Sequence, residues 1–153
     1  MFHLRSLILG TCAAALMAGS VAAKSDITVA MQLEPPHLDP TSAAAGAIDS
    51  VLYSNVFEGL TRFMGDGSVV PGLAESWEIS DDGLTYTFKL HSGVTFHDGT
   101  TMDADDVKFS LDRINADDSA NAQKALFSAI SEVKVLDPTT VEIKLSEPNG
   151  NLL

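Results

Sequence analysis

The stretch that decides the fold is residues 71–113, which reads PGLAESWEISDDGLTYTFKLHSGVTFHDGTTMDADDVKFSLDR. Its segment 80–83, SDDG, predicts a tight turn, because Asp can hydrogen-bond its own backbone and Gly accepts a positive φ without steric cost. Apolar and polar residues alternate on both sides of this turn, which predicts a β-hairpin. The apolar face of the second strand comprises Leu84, Tyr86, Phe88 and Leu90.

The second half of the stretch predicts two more turns and a capped helix. The turns are expected at residues 91–93 (HSG) and 97–99 (HDG). Asp103 is the predicted N-cap, and Asp106 occupies the capping-box position three residues later, where Glu or Gln is usual. Val107, Leu111 and Ile114 then recur at helical spacing.

This order of motifs closely resembles the bacterial extracellular solute-binding proteins of family 5, which serve ABC importers for dipeptides, oligopeptides and nickel. The matching segments are residues 57–60 (FEGL), 71–88 (PGLAESWEISDDGLTYTF) and 93–114 (GVTFHDGTTMDADDVKFSLDRI). The resemblance runs from about residue 27 to residue 148. Because members of the family are several times longer, it implies that this chain is an amino-terminal fragment.

The resemblance implies an α+β or α/β architecture of the type II periplasmic-binding-protein kind, in which two lobes close over a ligand. Residues 24–59 are expected to belong to the first lobe. Residues 60–153 are expected to form most of a small antiparallel, β-rich extra subdomain, which would be incomplete here.

Residues 1–23 have the three-part pattern of a cleaved signal peptide. Arg5 supplies the positive start, residues 7–17 form an apolar run too short to span a bilayer, and Val21-Ala22-Ala23 provides small residues for cleavage. The mature chain would begin at Lys24 and reside in the periplasm. The alternatives are a buried amino-terminal helix and a lipid anchor on Cys12, the single cysteine.

The formal net charge is −12, and loss of the signal peptide would remove Arg5 and no acidic residue. An acidic chain of this kind lacks the lysines and arginines with which nucleic-acid-binding proteins contact phosphates. It is also not attracted to an anionic membrane surface. Nucleic acid is therefore not an expected partner.

Outside the central stretch, the pattern predicts further local elements. Residues 33–40 (LEPPHLDP) contain three prolines and predict an irregular connector. Strands are predicted at residues 26–32 and 60–63, helices at 48–58 and 122–130, and a hairpin turn at 65–68. A second long hairpin is predicted from residue 133 to residue 145, turning at 137–140.

The candidate ligand-binding residues are Ala44, Ala45 and Gly46. The resemblance implies that the loop after Asp39-Pro40 lines the ligand cleft, and a small-residue loop suits main-chain hydrogen bonding to an extended peptide. Relatives often carry Ser or Thr here, so Ala44 and Ala45 lack the hydroxyls for side-chain contacts. A plain connector is the alternative interpretation.

Other chemistries receive less support from the sequence. His37, His91 and His97 lie in separate turns and loops, so they are read as solvent-facing residues, and no metal site is expected. The motifs of nucleophile elbows, phosphate-binding loops and dinucleotide-binding turns do not occur. Trp77 is interpreted as a core residue of the hairpin, with a ligand-stacking platform as the alternative.

The sequence and the resemblance together predict a non-catalytic, monomeric, periplasmic substrate-binding component of an ABC importer. Its expected ligand is a peptide or another small solute, its expected partner is the permease in the inner membrane, and no cofactor is expected. Two alternatives remain open. One is a secreted hydrolase with its active site in the missing carboxyl-terminal part, and the other is a stand-alone β-rich interaction module.

Overall fold

The structure is a computed structural model that describes residues 26–41, 46–53 and 55–153. These residues fall into two units, one ending at Met31 and one running from Gln32 to Leu153. In the first unit, the described residues 26–31 form neither helix nor strand, and Ile27 and Val29 are 87% and 71% exposed. The strand predicted at 26–32 is therefore wrong, because no described strand pairs with it to satisfy its backbone groups.

The second unit contains two antiparallel sheets. Strands β1 (Thr61–Phe63) and β2 (Val69–Pro71) form a small two-stranded sheet. The larger sheet contains β3 (Ala74–Ile79), β4 (Thr85–Leu90), β5 (Ile130–Asp137) and β6 (Thr140–Leu145). Its spatial order is β3-β4-β6-β5, so the last strand lies between two earlier ones.

The β3–β4 hairpin confirms the turn predicted at residues 80–83. Gly83 adopts a φ of 70°, a value that side-chain-bearing residues rarely take. Asp82 Oδ1 accepts hydrogen bonds from Ser80 Oγ at 2.6 Å and from the Leu84 amide at 3.0 Å. The turn is thus held by its own side chains, and it sets the register that places Trp77 opposite Phe88.

The β5–β6 hairpin confirms the second predicted hairpin. Val133 lies opposite Ile143, and Val135 lies opposite Val141. At the turn, Asp137 Oδ1 accepts hydrogen bonds from the amide and the hydroxyl of Thr139. Aliphatic residues on facing strands and an Asp-centred turn were both visible in the sequence, which explains why this prediction succeeded.

Helix α2 (Ala104–Asn115) begins where the sequence predicts, with a complete capping box. Asp103 Oδ1 accepts a hydrogen bond from the Asp105 amide at 2.9 Å. Asp106 Oδ2 accepts one from the Asp103 amide, also at 2.9 Å. Asp106 therefore performs the role for which Glu is usual, and Ala104 and Val107 anchor the helix in the core.

The main core lies between α2 and one face of the four-stranded sheet. The predicted face of β4 is confirmed, since Tyr86, Phe88 and Leu90 are all buried. The remaining members of this core are Ala74, Met102, Ala104, Val107, Ala129, Val133, Val141, Ile143 and Leu145. Trp77 is only partly buried against it.

The helix predicted at residues 48–58 forms earlier and ends sooner. It begins as α1 (Gly46–Ile48) and continues as a π-helical turn, Asp49–Tyr53. The side-chain nitrogen of Asn55 donates to the carbonyls of Ser50 and Val51 at 3.1 and 3.2 Å. It replaces backbone donors that a continuing helix would provide, which ends the helix before Glu58.

The helix predicted at residues 122–130 is only a short 3-10 helix, Lys124–Phe127. Strand β5 starts at Ile130, which pairs with Leu145 and so cannot remain helical. The connector at residues 33–40 has no helix or strand, as predicted, and β1 and its turn fall within one residue of prediction. Among the residues that the structure describes, no helix is long and apolar enough to cross a bilayer.

Candidate functional site

The predicted ligand loop is described only at its end. Ala44 and Ala45 lie outside the described residues, so their predicted role stays a prediction. Gly46 is exposed, begins α1, and has open space where a side chain would project. Its carbonyl accepts a hydrogen bond from Ser50 Oγ at 2.8 Å, a contact within the helical segment that Gly46 begins.

The other end of the loop is fixed by Asp39. One carboxylate oxygen, Oδ1, accepts hydrogen bonds from the Thr41 amide at 2.8 Å and the Thr41 hydroxyl at 2.6 Å. These two bonds make a local side-chain-to-backbone turn of the kind that Asp favours. The direction in which the chain enters the loop is therefore set by Asp39 and Thr41.

Two longer-range contacts hold the same segment. Arg113 Nη2, on the last turn of α2, lies 3.3 Å from the second carboxylate oxygen of Asp39. The Tyr53 hydroxyl donates to the Pro40 carbonyl at 3.0 Å. We call these two contacts, with the Asp39–Thr41 bonds, the Asp39 anchor. The anchor joins the end of the connector to α2 and to the π-helical turn.

The hydrogen bond from the Thr41 hydroxyl, followed by that from the Thr41 amide and the charge of Arg113, lowers the pKa of Asp39 below its ordinary value. Each of these groups interacts more strongly with the carboxylate than with the neutral acid. Asp39 is therefore ionised at neutral pH, and its charge maintains the pair with Arg113.

A half-open groove of about 1110 Å³ lies elsewhere on the second unit. Its walls come from the end of the π-helical turn, the β1–β2 hairpin, residues 94–97 and the first half of α2. Phe57, Phe63 and Phe96 contribute aromatic rings to this mixed wall, and the titratable groups include His97 and Asp106. Of the described residues near the predicted ligand loop, Tyr53 lines this groove, whereas Gly46 and Asp39 do not.

A smaller cavity of about 350 Å³ lies between α2 and the sheet. Phe88, Val107 and Ile143 of the core line it, together with Leu60 and Leu152. Ligand sites combine an apolar wall with a few convergent polar groups. Because its wall is largely core side chains, this cavity is better described as a gap in the packing.

His91 and His97 occupy separate places. His91 Nδ1 lies 3.9 Å from Glu75 Oε2 at the exposed edge of the sheet, and His97 lies in the groove. Within residues 26–41, 46–53 and 55–153, no three His, Cys, Asp or Glu side chains come close enough to hold a metal ion. The Asp82 and Asp106 carboxylates serve the turn and the helix cap.

Sequence reasoning did not find Arg113 or Tyr53. Arg113 stands in the FSLDR segment that carried the resemblance, but its partner is 74 positions away. No local spacing rule connects residues at that separation. Tyr53 lies within the predicted helix, where a partly exposed Tyr gave no sign of the Pro40 carbonyl that it contacts.

Comparison with known proteins gives consistent results for most of the chain. Residues 68–153 match the family described as bacterial extracellular solute-binding proteins, family 5 Middle. The glutathione-binding protein GsiB of Escherichia coli K12 is 40% identical over 151 residues, covering 95% of this chain and 28% of the relative. The chain thus spans about 28% of the length of this curated relative.

Two solved structures resemble the chain in sequence and in fold. NikZ of Campylobacter jejuni, in complex with Ni(L-His), is 36% identical with a TM-score of 0.67, over 76% of this chain and 23% of NikZ. The oligopeptide-binding protein AppA of Bacillus subtilis, in complex with a nonapeptide, is 28% identical with a TM-score of 0.72, over 78% of this chain and 23% of AppA. These likenesses confirm the predicted fold class, a part of a type II periplasmic-binding-protein fold with antiparallel sheets.

Proposed function

This chain belongs to family 5 of the bacterial extracellular solute-binding proteins, and on that premise we propose that it supplies one wall of the ligand site in the solute-capturing subunit of an ABC importer. The match over residues 68–153 carries the proposal. The subunit would bind its solute without chemical conversion and deliver it to a permease in the inner membrane.

We propose a peptide as the solute. The relative from E. coli is a glutathione-binding protein, and the AppA structure holds a nonapeptide, while NikZ holds Ni(L-His). These ligands share amino-acid groups that main-chain amides and carbonyls can recognise. In this chain, Ala44, Ala45 and Gly46 would provide such main-chain contacts, and the Asp39 anchor would hold the segment from which they project.

The proposal also assigns the parts of the chain. Residues 24–59 would belong to the first lobe and residues 60–153 to the extra β-rich subdomain. One contact of the Asp39 anchor runs between these two parts, because Arg113 lies in the second and Asp39 in the first. The subunit would act as a monomer.

Export to the periplasm would follow cleavage after Ala23. The predicted signal peptide lies outside the described residues and is supported by the sequence pattern alone. Mass spectrometry of the exported protein should find Lys24 at the amino terminus. Retention of residues 1–23, or a lipid on Cys12, would contradict this assignment.

A chimera tests the binding function directly. This chain would replace the matching segment of the E. coli glutathione-binding protein, and glutathione would be titrated into the chimera and the parent by calorimetry. If the chain supplies an equivalent wall, we expect saturable binding within about tenfold of the parent, a loss of about 1.4 kcal/mol or less.

The controls separate binding from folding. The chain alone should show no saturable heat with glutathione or a di- to pentapeptide pool, because such sites gain affinity by enclosing the ligand. A chimera that melts cooperatively but binds neither glutathione nor any peptide of the pool would refute the proposal.

A further inference from the structure

Asn149 and Gly150 form the only Asn-Gly pair in the sequence. The backbone nitrogen that follows an Asn can attack the side-chain amide carbon, because the two groups close a small ring. A following Gly favours this attack, since it has no Cβ to hinder the approach. Asp-Gly pairs at 66–67, 82–83 and 98–99 can react in the same way, and they provide comparisons within one chain.

The structure distinguishes these pairs by the state of the attacking nitrogen. The glycine amide of each Asp-Gly pair donates a backbone hydrogen bond of 2.8 or 2.9 Å, from Gly67 to Met64, from Gly83 to Ser80 and from Gly99 to Phe96. Gly150 is exposed, and within residues 26–41, 46–53 and 55–153 no carbonyl accepts a hydrogen bond from its amide. Among the four pairs, only Gly150 therefore has an attacking nitrogen that is not already bonded to a carbonyl.

The four pairs also differ in the group that is attacked. Asn149 Oδ1 accepts a hydrogen bond from the Asn151 amide at 3.0 Å, which draws electron density away from the amide carbon. The three Asp side chains are negatively charged, and a carboxylate resists attack by a nucleophile. Hydrogen bonds lower the pKa of each of these carboxyl groups below its ordinary value, the donors being the Ser68 hydroxyl, the Ser80 hydroxyl and the Thr100 amide.

We propose that Asn149 is a site of spontaneous deamidation. The Gly150 nitrogen forms a bond to Cγ of Asn149, the bond from Cγ to Nδ2 breaks, and the proton from Gly150 leaves with the ammonia. Water, the co-reactant, then opens the ring at either carbonyl and leaves aspartate or isoaspartate at position 149. No oxidant or reductant takes part, and the inference does not depend on the proposed function.

The reaction would change a segment that contacts both the core and the small sheet. Leu152 and Leu153 pack partly buried against the main core, and the Thr61 hydroxyl of β1 donates to the Leu153 carbonyl at 2.6 Å. Isoaspartate lengthens the main chain by a carbon atom just before these contacts. Both products also add a negative charge to an already acidic chain, so anion-exchange chromatography separates them from the parent.

The β1–β2 hairpin offers a matched control. Asp66→Asn creates a second Asn-Gly pair, in a turn where the side-chain oxygen accepts from the amide two residues later, as that of Asn149 does. The two pairs then differ in the glycine amide, which at Gly67 is bonded to the Met64 carbonyl. Asp98→Asn repeats the comparison in another turn and replaces the first variant if that one fails to fold.

The experiment incubates each purified full chain at mildly alkaline pH, where the attacking nitrogen loses its proton more readily, and then digests it with trypsin. Cleavage after Lys144 releases residues 145–153, and mass spectrometry detects the change from amide to acid and assigns it to position 149 or to Asn151. In Asp66→Asn, the tryptic peptide 63–89 contains no other side-chain amide.

We expect position 149 to convert about 2- to 12-fold faster than position 66 of Asp66→Asn, the range that one backbone hydrogen bond represents. Asn151 should stay intact, because Leu152 follows it in place of Gly. In urea, the rates at positions 66 and 149 should converge, since unfolding releases the Gly67 amide.

Three results would overturn the inference. One is equal or slower conversion at position 149 in the folded chains, because the bonded amide would then give no protection. Another is an intact Asn149 in the folded chain after position 149 of the urea-unfolded chain has converted. The third is conversion that Gly150→Ala does not slow, because water would then hydrolyse the amide directly.

Discussion

Truncation of two aromatic partners in the first hairpin should have unequal effects on stability. Phe88 is 2% exposed and lies on β4, which is paired on both sides. Trp77 lies opposite it on the edge strand β3, is only partly buried, and has its ring centroid 6.5 Å from that of Phe88. We expect Phe88→Ala to be the more damaging substitution, although Trp is the larger residue.

The magnitudes follow from what each truncation leaves behind. Phe88→Ala should lower the free energy of unfolding by about 3–5 kcal/mol, because a closed space remains in the core and the contact with the Tyr86 ring is lost. Trp77→Ala leaves an open notch that water fills, so only a transfer term is lost. About 100 Å² of buried aromatic surface at about 25 cal/mol/Å² gives roughly 2.5 kcal/mol.

Urea denaturation of the purified chain, followed by far-UV circular dichroism, measures both values. Phe88→Ala removes a large part of a typical total stability of about 5–15 kcal/mol. Phe88→Leu and Trp77→Leu therefore provide a milder pair, in which Phe88→Leu should again be the more destabilising substitution. Equal losses of unfolding free energy, or a larger loss for Trp77→Ala, would contradict this reasoning, because the edge strand would then contribute at least as much to core stability as β4. If Trp77→Ala in the chimera abolishes glutathione binding but leaves the stability unchanged, Trp77 is instead a ligand-stacking residue.

Three further effects should be measurable by the same denaturation assay. Asp103→Ala should cost about 0.5–2 kcal/mol, because it removes the N-cap side chain of α2. Gly72→Ala should be clearly destabilising, since the added Cβ would lie 2.5 Å from the Gly59 carbonyl oxygen, whereas Gly65→Ala meets no atom within 4 Å and should be nearly neutral. The hydrogen bond from the Ser80 hydroxyl lowers the pKa of Asp82 from its ordinary value of 3.8. The ionised carboxylate therefore stabilises the fold fully above pH 3.8, and this stabilisation is lost as the pH falls below that value. Asp82→Asn should reduce the dependence of the unfolding free energy on pH in this acidic range.

The sequence predicted those elements whose determinants are local. The turn at Gly83, the capping box of Asp103 and Asp106, and the hairpin around Asp137 each depend on residues within a few positions of one another. Such signals survive in any tertiary context, and the structure confirms all three. The resemblance to a known family then supplied the fold class, which composition and periodicity do not determine.

Two of the three failed predictions concern long-range strand pairing, and the third concerns a local competition for backbone carbonyls. The alternation at residues 26–32 is a genuine strand pattern, but a strand exists only where another strand accepts its hydrogen bonds. Residues 122–130 lost most of their predicted helix because Ile130 pairs with Leu145. The helix predicted at 48–58 ended early through the Asn55 side chain, a competition that a spacing rule does not include.

The candidate site was predictable only in part for the same reason. The small residues Ala44, Ala45 and Gly46 were assigned through the family resemblance, and only Gly46 lies among the described residues. In the sequence, Asp39-Pro40 marks only where the predicted ligand loop begins. The sequence does not predict its partners Arg113 and Tyr53, because contacts across 74 and 13 positions leave no trace in local patterning.

The placement of β6 between β4 and β5 has a consequence for how the chain acquires its structure as it is made. Of the four strands of this sheet, residues 140–145 come last in sequence, yet they complete the hydrogen bonding of β4, which is formed by residues 85–90. A growing chain therefore presents one open edge of β4 until more than fifty further residues have been added. During that interval the exposed edge is a template for pairing with other chains. A chaperone that covers this edge, or faster synthesis of residues 91–145, should therefore increase the yield of soluble protein.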